Sequence, residues 1–485
     1  MHSAEDSQTT VEYGPVTVLH DLATRIQLVE TVDKHTSKGK GVPVGALVEI
    51  MAINRILDPL AKLEIPDWYY QTYLPELLGV ELPEESGYQT LTRAYDYLPE
   101  SAQVDIEMEL AERVRAVFEL EDDTFLYDLT STFVEGEGEA EILRLGYSKD
   151  HRPDAKQLSY GLVVGREEPV PLFHLAHPGN THDSKTVDAL MDRFHDRLGL
   201  GGCLVIDRGI VTSANVGEIV DERGHDLVGG LKRTGSVKRW MHEVPLEDYS
   251  EPFKVGREEL CSYGFEHEMA GKARRCVLYF SEEKRRRDER ALAKRLSKAE
   301  KELAQISEAV ARSNRSTKKS GERVRAKVER VLRERKVKGL FGFKLTGGRG
   351  GRRLKYWRDE EAIEEVSKEN GKQALVTTLA LPHDELLRAY RDRTKIERAF
   401  RITKSVIRIR PMFNRKEEHI LAHLFVCFLA YLLVSLLELD MKRHGIRMTA
   451  EKMVKRLRRK RVEVERDLDV DEEAEAYLRR LERRR

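Results

Sequence analysis

Between residues 20 and 118 apolar residues recur at helical spacing, most clearly in VGALVEIMAINRIL and VDIEMELAERVRAVFEL, and predict a mostly helical segment. Pro43, Pro59, Pro66, Pro75 and Pro83 divide it into short helices. From Asp123 the period shortens. DTFLYDLTSTF, LSYGLVVG and PVPLFHLAHPGN read as three meander-like strands separated by turn residues. A helical pattern follows from Ser184 to Leu198, then CLVIDRG as a short buried strand, a helix from about Ser213 to Arg223, and DLVGGLK as a further strand. This order predicts an α/β fold, a mixed sheet flanked by helices.

Residues from about Lys238 to Gly371 break that rhythm. ARRCVLYF reads as a strand, and Glu282 to Lys336 as a long charged helical run with Leu292, Leu296, Leu303, Ile306 and Val310 on its apolar side. A helical hairpin or a coiled-coil arm fits it. GLFGFKLTGGRGGRR and QALVTTLAL then return to strand-and-turn texture. The chain is therefore expected to comprise a helical N-terminal domain (1–118), of a size that could read DNA or serve dimerisation, and a core in two parts (119–237 and 372–445). A large insertion (238–371) would interrupt that core, and a charged helical tail (446–485) would follow it.

Length supports more than one unit, since 485 residues exceed what a single compact core usually holds. Lys+Arg and Asp+Glu both total 84, so net charge decides nothing about partners. Distribution is more informative. The first hundred residues are acidic, whereas cations concentrate near 284–290, from Arg312 to Lys338, from Arg388 to Lys416 and in KMVKRLRRKR. Four cysteines (Cys203, Cys261, Cys276, Cys427) form no CxxC pair, which fits a reducing compartment and excludes a disulfide framework. The polar, acidic N-terminus carries no visible signal peptide. Ile420–Leu437 is apolar enough to suggest a membrane span, but it is single, contains His423 and sits at the lower length limit. A buried core helix is the expectation, and no membrane partner.

Asp128 falls within a strand pattern and Asp207 closes another. Acidic residues in buried strands need compensation, which a hard divalent cation such as Mg²⁺ supplies. A strand-end aspartate can equally cap a turn. The third carboxylate stands in AYRDRTKIERAFRITKSVIRIRP, where Tyr390, Arg393, Glu397 and Lys404 are spaced to share one helical face, with Ile396, Phe400 and Ile407 on an adjacent core-facing side. The plainer alternative is a surface ion-pair stripe. Against it stands the local surplus of cations with few acids, which phosphate contact would use.

These regions together resemble the cut-and-paste DDE insertion-sequence transposases whose glutamate motif is Y-R-E-K. The resemblance runs through YDLTSTFVEGE, LGYSKDHRPDAKQLSYGLVV, HPGNTHDSKTVDAL, VIDRGI and YRDRTKIERAFRITKS, on to IRPMFNRKEEHILAHLFVCFLAYLL. Y-x2-R-x3-E-x6-K maps onto Tyr390, Arg393, Glu397 and Lys404 without a gap, and D-x-G onto Asp207 and Gly209. It implies an RNase H-like core with Asp128 on the first strand, Asp207 on the fourth and Glu397 on a helix after the insertion. It also implies two Mg²⁺ ions per active site, for which Mn²⁺ can substitute, with Asp128 bridging both. The implied partner is double-stranded DNA, as terminal inverted repeats and target, bound by a homodimer in the cytoplasm at the nucleoid.

Arg393, Arg401 and Lys404 would then contact phosphates, and Tyr390 would donate a hydrogen bond beside the cut. Trp240 and Trp357 are candidates for stacking on a base flipped from the duplex, though a structural tryptophan is the commoner case. Thr394 departs from the aromatic residue that related sequences often carry after the motif arginine. His174, His177, His182 and Asp183 match no zinc module and are expected to be structural. GGRGGRR lacks the G-K-[ST] ending of a nucleotide-binding loop and reads as a basic DNA-contacting turn. Two other readings share these residues: a catalytically silent DNA-binding derivative, and a stand-alone nuclease of the same fold.

Overall fold

The computed structural model describes residues 8–37, 40–83, 86–136, 140–150, 152–312, 321–347 and 352–465. They form two compact units. One comprises the described residues up to Leu204 and from Asp392 onward, the other Val205–Arg391.

The first unit opens with β1 (Gln8–Glu12) and continues as helices Gly14–Arg25, Leu28–His35, Val44–Leu57, Ile65–Tyr70, Leu74–Leu78, Gly87–Arg93 and Glu100–Val117. Pro15, Pro66 and Pro75 occupy first helical turns, where a missing N–H costs nothing, and Pro43 and Pro99 sit at N-caps. Val44–Leu57 is buried all round, apart from half-buried Arg55, rather than on one stripe. It is enclosed by Gly14–Arg25, Leu28–His35 and the later helix Glu417–Arg443. Gly45 permits the closest of these approaches, because a Cβ there would lie 2.3 Å from the Val29 carbonyl oxygen.

β2 (Thr124–Phe133), β3 (Gln157–Gly165) and β4 (Pro171–Pro178) form the expected antiparallel meander, in the order β4-β3-β2. All but two residues of β2 are buried, the exceptions being Asp128 and Phe133. The helical segment after β4 runs from Val187 and ends in a wider π-type turn over Asp192–Arg197. β5 (Cys203–Ile206) then carries the chain out of this unit.

The second unit contains β6 (Asp226–Gly230), β7 (Phe253–Val255), β8 (Glu258–Met269), β9 (Lys272–Phe280), β10 (Phe341–Thr346), β11 (Arg353–Arg358) and β12 (Lys372–Thr377). Strands β6-β12-β9-β8-β7 lie side by side, each antiparallel to its neighbours. Within 238–371, β7, β8 and β9 therefore continue the sheet of β6 and β12, whereas β10 and β11 pair with each other in a separate hairpin. The charged run is a helical hairpin, Glu282–Ala311 against Gly321–Glu334, with residues 313–320 outside the described set. Leu292, Leu296, Leu303, Ile306 and Val310 share one core with Val324, Val328 and Val331 and with Phe341 and Leu354 of the β10–β11 hairpin. That core makes it a packed hairpin instead of an extended arm. Of GGRGGRR, residues 348–351 lie outside the described set.

Back in the first unit, the chain forms helices Thr394–Ser405, Glu417–Arg443 and Ala450–Leu457. The expected helical tail is helical only over Ala450–Leu457 among the described residues. Arg461–Glu465 instead forms β13, antiparallel to β1, pairing Glu12 with Arg461 and Val11 with Val462. Five residues of charged alternation give little periodic signal, and the partner strand decides their conformation. Residues 466–485 of that tail lie outside the described set. Glu417–Arg443 is long and apolar enough to cross a membrane, with a mean hydropathy of 2.5, yet its apolar window is 100% buried within the unit. It packs on Val44–Leu57, β4 and Glu100–Val117. Burying each large apolar side chain contributes about 1.5–3 kcal/mol, so this helix anchors the unit's core.

Candidate functional site

Asp128, Arg393, Glu397, Arg401 and Lys404 belong to the first unit, and Asp207, Tyr390, Trp240 and Trp357 to the second. In the first, Asp128 stands in the middle of β2, opposite Leu162 of β3 and between buried Tyr127 and Leu129. Alternation turns Tyr127 the other way, where its hydroxyl donates to Thr186 Oγ1 at 2.9 Å. Asp128 is half-buried, and its Oδ1 accepts the Leu129 N–H at 2.8 Å.

Glu397 is exposed in the first turn of Thr394–Ser405, where the helix dipole favours a negative charge. Ile396, Ala399, Phe400 and Thr403 form the buried face of that helix, which packs beside β2. The Phe400 ring meets Tyr160 of β3 edge-on at 6.4 Å. A carboxylate thus stands on the outer side of a helix whose inner side rests on the strand of Asp128.

The motif does not form one continuous helix. His383–Arg391 ends before Asp392, and a new helix begins at Thr394, so Tyr390 lies on a separate helix from Glu397 and Lys404. Spacing returns residues to one face only in an unbroken helix. At the break the Lys395 N–H turns back onto the Asp392 carbonyl at 2.8 Å, and the Asp392 carboxylate accepts from Arg166 Nε at 2.8 Å. Arg393 is half-buried just before the second helix.

Lys404, in the last turn, donates to Asp150 Oδ1 at 2.7 Å. Burial pulls its pKa below the ordinary lysine value, against the raising effect of Asp150. Exposed Arg401 lines a cavity of about 530 Å³ together with Arg398, Arg408 and Arg458. Arg398 is held there by both oxygens of Glu438, at 2.7 Å each.

In the second unit β5 ends at Ile206, and the Asp207 carbonyl accepts from the N–H groups of Ile210 (3.0 Å) and Val211 (3.3 Å), turning the chain at the strand end. Asp207 itself is half-buried at that turn. The Tyr390 hydroxyl sits against Gly230, the last residue of β6. A Cβ at Gly230 would lie 2.2 Å from that oxygen and 3.1 Å from the Arg208 Cβ. Trp240, half-buried on Gly235–Glu243, packs 5.0 Å from the Phe265 ring. Trp357 on β11 is 52% exposed and lies across Gly342, where a Cβ would come within 2.4 Å of its ring. Alternation puts exposed Lys355 and Arg353 on the same face as Trp357.

Hard carboxylate oxygens at strand and helix positions suit Mg²⁺ by donor type. Among the described residues, no three or more His, Cys, Asp or Glu side chains stand close enough together to hold an ion. His174 is engaged elsewhere, against Glu107 in a buried network with Arg193, and burial lowers the His177 pKa to about 4. Asp183 faces Lys149 at 3.4 Å.

Three residues received no role from sequence: Lys149, whose Nζ donates to the Leu129 carbonyl at 2.7 Å next to Asp128, and Asp150 and Arg410, which meet at Lys404. All stand inside conspicuous motif stretches, and the signal that could have marked them was an acid among cations in a turn-rich loop.

A family model described as a transposase DDE domain matches residues 129–433, so Asp207, Glu397 and Lys404 lie within the matched stretch and Asp128 immediately precedes it. No curated protein matches by sequence. One solved structure, a cryo-EM structure of a piggyBac transposase synaptic complex with hairpin DNA, aligns at a TM-score of 0.40 and 8% identity, covering 93% of this chain and 82% of that one.

Proposed function

This chain belongs to the DDE transposase family, and from that premise we propose that it binds the terminal inverted repeats of an insertion sequence and cuts and rejoins DNA there. The observation that supports this most is Glu397 on the open side of a helix packed beside the strand that bears Asp128. In this reading Asp128, Asp207 and Glu397 are the residues that would hold Mg²⁺ or Mn²⁺, two ions per active site, in an RNase H-like core. When bound, such ions activate the attacking oxygen and stabilise the leaving one.

The chain's own side chains bind and orient. Arg393, Arg401 and Lys404 neutralise backbone phosphates beside the cut. Tyr390 donates a hydrogen bond to the strand being cut, and Trp357 offers the more open ring for stacking on a displaced base. Two ends held in one complex call for a homodimer acting on chromosomal DNA.

The deciding experiment is cleavage of DNA carrying the element's inverted-repeat ends in Mg²⁺, with wild type beside Glu397→Gln and beside scrambled ends. Cleavage at the repeat boundary by wild type alone is the expected result. Binding without cleavage would leave a silent DNA-binding derivative, and cutting that ignores the ends would leave a nuclease.

The seat of Tyr390 supplies a second test. Gly230→Ala places a methyl where the Tyr390 hydroxyl lies, so end cleavage should fall by about a hundredfold, the usual cost of misplacing an active-site group by an ångström. Tyr390→Phe, which keeps the ring and removes the donor, should share the defect. Normal cleavage by both variants would remove Tyr390 from the site.

A further inference from the structure

The segment between β2 and β3 carries YSKDHRPD and is pinned beside Asp128. The Lys149 N–H donates to Ser131 Oγ at 2.7 Å, and its Nζ to the Leu129 carbonyl at 2.7 Å. Ser148 Oγ accepts from the N–H groups of Asp150 (3.3 Å) and Arg152 (3.1 Å), closing the turn. This turn delivers the Asp150 carboxylate to Lys404 and Arg410, distant in sequence but in the same unit.

The contact is lopsided. Lys404 Nζ lies 2.7 Å and Arg410 Nη1 3.0 Å from the same oxygen, Asp150 Oδ1. Among the described residues Oδ2 has no hydrogen-bond partner, and the Asp150 side chain is only 4% exposed. A carboxylate can accept about four hydrogen bonds, and leaving one oxygen bare out of water is costly. The neighbouring cations have carboxylates of their own, Lys149 facing Asp183 at 3.4 Å and Arg152 paired with Glu135 and Asp154 at 3.0 Å each, so Asp150 is the carboxylate left to Lys404 and Arg410. A flexible ammonium and a planar guanidinium converging on one oxygen make an anion site, and a phosphodiester presents oxygens of the same charge and hydrogen-bonding type.

We propose that Lys404 and Arg410 form a single phosphate-binding fork, and that Asp150 is its internal substitute anion, displaced when a DNA phosphate arrives. This rests on reading Lys404 as a phosphate contact and adds Arg410 to the DNA-binding residues. Asp150 thereby keeps two cations sheathed, so that the fork opens only to a phosphate competing for both. Stray duplex gains less from the site than correctly seated duplex does.

The test is equilibrium binding of the full chain to duplex carrying the inverted-repeat ends, from about 50 to 200 mM salt. Asp150→Asn removes the charge and keeps the shape. It should tighten binding roughly fivefold at low salt and steepen the log–log salt dependence by about one, as one more counterion is released. Lys404→Gln and Arg410→Gln should each weaken binding and flatten that dependence by about one. If Lys404→Gln changes nothing, the phosphate reading of Lys404 fails and the fork with it. If Lys404→Gln weakens binding but Arg410→Gln does not, the fork alone fails. If Asp150→Asn melts like wild type yet binds no tighter, Asp150 is a positioning residue and the substitute-anion idea is overturned.

Discussion

Asp128→Asn is expected to lower Mg²⁺-dependent cleavage of end-bearing DNA by about a thousandfold or more while leaving DNA binding intact. An amide fits the same place in β2, opposite Leu162, but offers a neutral and weaker ligand. The charge stabilisation that metal supplies to phosphoryl chemistry amounts to several kcal/mol, and each 1.36 kcal/mol is tenfold in rate. Asp207→Asn should behave alike. Single-turnover cleavage at saturating enzyme separates the effect from binding. A variant that keeps more than about a tenth of wild-type rate would remove its residue from the metal-binding set.

The largest effect on stability is expected away from that strand. Glu107 is fully buried, and its Oε2 accepts from Arg193 Nη1 at 2.9 Å while Oε1 faces His174 Nδ1. The same Arg193 nitrogen donates to the His174 carbonyl at 2.6 Å, and the His174 ring stacks 5.5 Å from Phe428 of the apolar helix. Glu107→Ala leaves the buried Arg193 guanidinium with only the exposed Glu100 carboxylate, 3.7 Å away, and losing the buried partner of such a pair costs about 3–5 kcal/mol. Thermal melting should show a fall of roughly 5 °C or more. Replacing Glu107 and Arg193 together by leucine should cost less than Glu107→Ala alone, because no charge is then stranded. Equal losses in both variants would mean that packing, not charge pairing, sets the value of this network.

Where a residue pattern was long and periodic, the fold could be read from it. β2, β3 and β4 announce themselves through alternation and turn residues, and the long charged helix through Leu292, Leu296, Leu303 and Ile306 at steps of four, seven and three residues, although that spacing fits a coiled-coil arm as well as the hairpin that forms. What escaped was decided by distant partners. At the break before Thr394, Asp392 is held by Arg166, 226 residues away. Arg461–Glu465 becomes a strand because β1 pairs with it. The apolar helix, by contrast, is expected as a buried core helix from its single occurrence, its length and His423, and its surroundings agree. For the candidate site, the motif marked Glu397 and Lys404, but nothing in it revealed that Lys404 meets Asp150, 254 residues earlier. Ion-pair partners of that separation leave no local periodicity to detect.

The discontinuous first unit has a consequence for synthesis. Its core helix, Glu417–Arg443, and its closing strand, β13, emerge from the ribosome only after all of Val205–Arg391 has been made. Until then Val44–Leu57 and β4 lack the apolar surface that covers them, while the second unit is already complete in sequence. A copy cut short by a frameshift or stop codon between Arg391 and Glu417 therefore leaves a complete middle attached to an unfinished, aggregation-prone beginning. Such truncated chains would be cleared rather than persist as partial products.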